Sequence, residues 1–127
     1  IVNLTDLYET NLTNIGTSAF ENDKEIQGLH FPNSLKTLGP AAFAGCTGLE
    51  TVEFDDSANI EALEDHCFKG CTNLTYIRLP DSVSRIGISC FEGCSELQAI
   101  SIPRRLEEQP GIAGLKTLLP GLSIELR

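Results

Sequence analysis

The stretch Val83-Ser84-Arg85-Ile86-Gly87-Ile88-Ser89-Cys90-Phe91-Glu92-Gly93-Cys94-Ser95-Glu96-Leu97-Gln98-Ala99-Ile100-Ser101-Ile102-Pro103 decides the fold. Its apolar residues stand at fixed distances from Phe91, and the same word recurs around Phe20, Phe43 and Phe68 at spacings of 23, 25 and 23 residues. Ahead of each phenylalanine lie two apolar columns: Leu12, Leu35, Ile60 and Val83, then Ile15, Leu38, Leu63 and Ile86. Between these and the phenylalanine comes Gly16, Gly39, Glu64 or Gly87. Behind it come Asn22, Gly45, Gly70 and Gly93, then Asp23, Cys46, Cys71 and Cys94. Three further apolar columns follow: Ile26, Leu49, Leu74 and Leu97; Leu29, Val52, Ile77 and Ile100; Phe31, Phe54, Leu79 and Ile102. Pro32, Pro80 and Pro103 close three of the units, whereas the unit closed by Asp55 carries a loop two residues longer, from Asp55 to Asn59.

A unit of this size cannot hide its own apolar face, so it stacks on its neighbours and shares one continuous core with them. The segment Leu49–Phe54 reads as a short strand, with Val52 and Phe54 inward and Thr51 and Glu53 outward by the two-residue alternation of a strand. Equivalent segments then pair in parallel, about 4.8 Å apart. Proline ends each strand because it has no N–H to give a ladder. The glycine two residues after each phenylalanine marks a tight turn or a close backbone approach, and the phenylalanine plugs the interior from the opposite wall.

From Leu12 to Pro103, about three-quarters of the chain, this pattern resembles the BspA-like (Treponema pallidum-type) leucine-rich repeat. The resemblance implies a β-rich α/β solenoid of about five turns. A short parallel sheet forms the concave face, and the other face carries short strands and helical or 3-10 turns. It also implies an extracellular or cell-surface setting and an adhesin-like role, but a shared fold names no function by itself.

The chain reads as one leucine-rich repeat domain over residues 1–127. It opens with an irregular edge or truncated repeat (1–11, with Leu4 as a candidate strand residue), runs through regular repeats (12–103) and closes with a degenerate capping repeat (104–127). In that last unit Gly114 stands where phenylalanine is expected, and Pro110 and Gly111 disturb the approach. Deleting one residue brings Leu119, Leu122 and Ile124 into the three strand columns. Two readings of the ends stand side by side: caps on an exposed core edge, or the borders of a longer array.

Net charge is −9, from 9 basic and 18 acidic residues. Such a surface repels phosphate backbones and anionic membranes, so nucleic acid is not an expected partner. No apolar run reaches the ~18 residues of a membrane span, and this stretch contains no signal peptide. Three Asn-x-Thr sequons occur, at Asn3, Asn11 and Asn73, and whether they carry sugar is open.

Catalytic and metal-ligating patterns are weak. Cys67/Cys71 and Cys90/Cys94 repeat a C-x₃-C spacing that suits zinc poorly. The repeat explains them better: Cys46, Cys71 and Cys94 share one column, while Cys67 and Cys90 share another with Ala19 and Ala42. That exchange fits buried free thiols, although stacked cysteines leave a disulfide geometrically conceivable. His30 falls in an outward strand column and His66 near the turn before Phe68; neither is placed beside a nucleophile, and both are expected at the surface. The expectation is therefore a protein without catalytic residues, metal or cofactor, a thiol- or metal-dependent enzyme being the least favoured alternative.

The concave sheet face is then the default binding surface for a protein or extracellular-matrix ligand, with a structural spacer as the alternative. Its outward columns run Gly28, Thr51, Tyr76, Ala99 and His30, Glu53, Arg78, Ser101. His30, Thr51, Glu53, Tyr76, Arg78 and Ser101 are the candidate contacts. Tyr76 and Arg78 stand at the centre, since tyrosine and arginine are enriched at binding hot spots. Glu53 and Arg78 are lateral neighbours that could pair with each other.

Overall fold

A computed structural model describes residues 12–55 and 57–127. The expectations for residues 1–11, the sequons at Asn3 and Asn11 included, lie outside these. The described chain coils into a solenoid with three walls. The first is a sheet of two-residue strands: β1 (Asn14–Ile15), β3 (Thr37–Leu38), β5 (Ala62–Leu63) and β7 (Arg85–Ile86), paired in parallel in that order. The second is the sheet β2 (Gly28–Phe31), β4 (Thr51–Phe54), β6 (Tyr76–Arg78), β8 (Ala99–Ile102) and β9 (Ser123–Leu126), again parallel throughout.

The turns that carry the phenylalanines make the third wall, and its backbone bonds alternate. In one coil the N–H groups of Ala42, Ala44 and Cys46 donate three residues back, to Gly39, Ala41 and Phe43. The intervening N–H groups of Ala41, Phe43 and Gly45 donate to the next coil, at Asp65, Cys67 and Lys69. Coils around Phe20 and Phe68 repeat the scheme. Buried backbone groups must find partners, and here each coil shares them between itself and its neighbour. The alternation requires two left-handed residues per turn. One is the expected position after phenylalanine: Gly45, Gly70 and Gly93 have φ of 74°, 76° and 80°, and Asn22 has 63°. The other lies two residues before it, at Ser18, Ala41, His66 and Ser89, with φ of 54° to 60°.

Phe43, Phe68 and Phe91 are fully buried, and Phe20 is half-buried. Their rings form a near-parallel stack, with centroids 5.3, 5.8 and 5.9 Å apart from Phe20 to Phe91. The inward strand residues complete the core, from Leu29 and Phe31 to Ile100 and Ile102.

The terminal unit corrects the sequence reading. Pro110–Leu118 forms a helix, α1, preceded by a 3-10 turn at Arg104–Leu106. Proline at its first position suits a helix start, where an N–H has no internal partner anyway. Ile112 and Leu115 turn into the core, while Gly114 is exposed. The helix consumes more chain than the usual turn, so this unit gains a residue instead of losing one. Ile124, not Leu122, pairs with Ile100, and Leu126, not Ile124, pairs with Ile102. The shift is two residues, so the inward-outward parity survives it.

Candidate functional site: the concave face and the buried thiols

All five cysteines are free and buried. Cys46, Cys71 and Cys94 do more than fill space: each Sγ lies 3.1–3.3 Å from the carbonyl oxygen of the preceding coil's phenylalanine and donates its S–H to it. Burial pushes the Cys46 thiol up to about 11 and the Cys94 thiol to about 12, and raises Cys67, Cys71 and Cys90 as well. The charged form loses its hydration in the core, so these thiols stay protonated and poorly nucleophilic at neutral pH. No group of three potential metal ligands occurs among the described residues. His66 departs from its expected place at the surface, for it is half-buried and its Nδ1 is buried without a hydrogen-bond partner among the described residues.

On the concave sheet, parallel pairing sets Thr51 beside Gly28 and Tyr76, and His30 beside Glu53. The β2–β4 ladder runs through Phe31 and Phe54, and the β6–β8 ladder through Arg78 and Ser101. Between them, the β4–β6 ladder stops at Val52 and Ile77. The interruption lies next to the longer loop after Phe54. There Asp55 accepts the Ser57 backbone N–H at 2.8 Å. At this place the sheet opens into a depression of about 500 Å³ lined by His30, Thr51, Val52, Glu53, Phe54, Asp55, Tyr76 and Arg78.

The depression thus gathers five of the six candidate contacts. Tyr76, 46% exposed, and Arg78 line it from β6. Glu53 lines it from β4, its Oε2 4.0 Å from His30 Nδ1. No Glu53–Arg78 ion pair forms among the described residues. An exposed aromatic ring beside an acidic and a basic side chain can stack a flat or apolar group while its polar neighbours fix orientation. Val52, Phe54 and Asp55 line it as well and stand outside the candidate set. Their signal was the 25-residue spacing, which marks where the ladder breaks.

Ser101 is the sixth candidate, and the structure removes it from the exposed face. It is fully buried, donating its hydroxyl to Glu125 Oε1 at 2.7 Å and accepting from Arg127 Nη1 at 2.8 Å. Arg127 also reaches the Leu79 carbonyl, and Asp81 Oδ1 at 3.0 Å. Glu125 of β9 and Arg127 just after it therefore close over the end of this column.

Comparison with known proteins agrees with this architecture. The BspA type leucine rich repeat region, in six copies, matches residues 8–111. A leucine rich cell surface protein from Faecalibacterium prausnitzii superposes with a TM-score of 0.72 at 25% identity, over 91% of this chain and 30% of that one. The pneumococcal vaccine antigen PcpA gives 0.70 at 27%, over 76% of this chain and 24% of its own. A leucine-rich repeat protein from Bacteroides capillosus gives 0.60 at 27%, over 72% and 63%. This chain therefore spans less than a third of the first two. No curated protein matches it. With the repeat word matched along most of its length and the same stacked parallel architecture, the chain belongs to the BspA-type leucine-rich repeat family.

Proposed function

We propose that this segment is a non-catalytic interaction module of a cell-surface or secreted protein and binds a protein or matrix ligand through its concave face. The observation that carries the reading is the depression around Tyr76 and Arg78. It is an open recess on the sheet, lined by Tyr76, Phe54 and side chains of both charges. Binding there needs little backbone rearrangement, which keeps the ordering cost low. A similar structure described as a leucine rich cell surface protein supports the setting. Within the described residues, no helix is long and apolar enough to cross a membrane.

Immobilised wild-type chain and a Tyr76→Ala/Arg78→Ala variant, each incubated with solubilised matrix and cell-surface proteins, test the reading. A binder captures a defined protein that the variant loses. Equal capture by both would overturn the concave-face assignment, and capture by neither would favour a structural spacer within a larger surface protein.

A further inference from the structure

The chain contains five arginines, and four of them meet in one place. Arg78, Arg104, Arg105 and Arg127, with Asp81 and Pro103, line a groove of about 480 Å³ where the chain leaves β6 and β8. Among the described lining residues Asp81 has the only acidic side chain, so the groove is rich in basic side chains on a chain whose net charge is −9.

The four guanidinium groups divide into two pairs. Arg105 and Arg127 are held by the protein. Arg105 donates to the Asp81 and Val83 carbonyls, while Arg127 donates to the Leu79 carbonyl, the Ser101 hydroxyl and Asp81. Arg78 and Arg104 are exposed, and neither side chain makes a hydrogen bond or ion pair among the described residues. Two fixed cations thus back two uncommitted ones, whose planar forks match a carboxylate or another oxyanion two bonds at a time.

The geometry points to this groove as a docking site for a short acidic peptide segment of a protein partner. Two observations favour a short run of carboxylates over a long polyanion. Outside the groove the chain is more acidic than its net charge, with Glu53, Asp55 and Glu125 on or beside the adjoining sheet, so an extended polyanion would soon meet repulsion. Arg78 also lines the concave depression, so the two recesses adjoin at this side chain. A peptide crossing between them sets carboxylates among the arginines and an apolar side chain on Tyr76 and Phe54. This deepens the concave-face reading and rests on it for the second half of the contact.

The test uses a fluorescein-labelled Glu-Glu-Glu-Phe peptide, its Gln-Gln-Gln-Phe counterpart and a heparin-derived hexasaccharide, with anisotropy as the readout. The acidic peptide should bind in a salt-sensitive manner, and the glutamine peptide at least about tenfold more weakly, as expected for loss of charge-assisted hydrogen bonds. Arg104→Gln, outside the concave depression, should weaken the acidic peptide by about tenfold, and Arg85→Gln, on the opposite sheet, should leave it unchanged. Circular dichroism confirms that each variant is folded. No binding of the acidic peptide, or equal binding by Arg104→Gln, would overturn the proposal. Tighter binding of the hexasaccharide would overturn the choice of occupant. Capture of a matrix protein that depends on Tyr76 but not on Arg104 would leave the concave-face reading standing and sink this one.

Discussion

The regular coils, Leu12 to Pro103, and the terminal unit, Arg104 to Arg127, bury the same kind of edge by different means. A regular coil closes with a tight turn. Phenylalanine fills the core, two left-handed residues bend the backbone, and alternate N–H groups reach the next coil. The terminal unit has no phenylalanine at the equivalent place. It substitutes a nine-residue helix, whose backbone bonds are satisfied internally, and inserts Ile112 and Leu115. A repeating coil must offer a bonding face to a successor, whereas a helix covers a face without offering one. The regular part therefore depends on backbone bonds between coils at the turn wall, whereas the terminal unit keeps the β8–β9 ladder and covers that wall with the apolar packing of α1.

The largest effect that separates the two regions should be alkaline unfolding. All five cysteines lie in the regular coils, and burial raises their pKa above the ordinary thiol range, to about 11 for Cys46. A group whose folded pKa is raised holds its full stabilising contribution below the unfolded value and loses it as pH climbs through the folded one. Stability should be flat up to about pH 8, then fall steadily between roughly pH 9 and 12. Thermal melts across this range check it, and a pH-independent melting temperature would mean that the thiols are not buried. Thiol-reactive dye at neutral pH should label none of the five until denaturant is added.

Next in size is the phenylalanine stack. Phe68→Ala removes a fully buried ring lying between Phe43 and Phe91 and should cost about 3–5 kcal/mol in denaturant titrations. Phe20→Ala, on a half-buried ring at one end of the stack, should cost about 1–2 kcal/mol. Equal losses would show that the stack, not burial, sets the energy.

Two glycines sharpen the comparison. In the regular part, a Cβ at Gly87 would come 2.5 Å from the Glu64 carbonyl carbon and crowd the backbone of Asp65. Gly87→Ala should therefore destabilise by about 1–3 kcal/mol. In α1, a Cβ at Gly114 meets nothing within 4 Å. Gly114→Ala should stabilise by about 1 kcal/mol, since alanine favours an exposed helix interior. Opposite signs are the expected result.

The smallest effect tests the turn itself. Ala41 sits at φ 56°, where its Cβ crowds the backbone. Ala41→Gly should gain about 0.5–1 kcal/mol by calorimetry, and a loss would show that the turn tolerates a side chain there at no cost.

Much of this structure can be read along the chain because the repeat prints the same instruction four times. The strand columns, the interior phenylalanines and the turn glycines all follow from spacing. The second left-handed position does not, since serine, alanine and histidine occupy it and none announces a positive φ. The thiol hydrogen bonds are also hidden, because nothing in the column of Asp23, Cys46, Cys71 and Cys94 announces an S–H donor aimed at the preceding coil. In the terminal unit the apolar residues were visible, but their register was not. Spacing carries register only while the turn keeps its length, and a helix changes it.

The candidate surface divides the same way. The alternation of inward and outward residues, a local property of strands, placed His30, Thr51, Glu53, Tyr76 and Arg78 outside from the amino-acid order alone. Ser101 obeys the same alternation yet is buried, because Glu125 and Arg127, 24 and 26 residues further along, close over it. The order of residues thus determined the stacking, the core and the parity of every strand, since these repeat with the chain and need only near neighbours. Only the tertiary structure decided which outward residues remain available, where the sheet opens, and that four arginines separated by up to 49 positions share one groove. Those outcomes depend on how distant coils meet, and distance along the chain does not encode it.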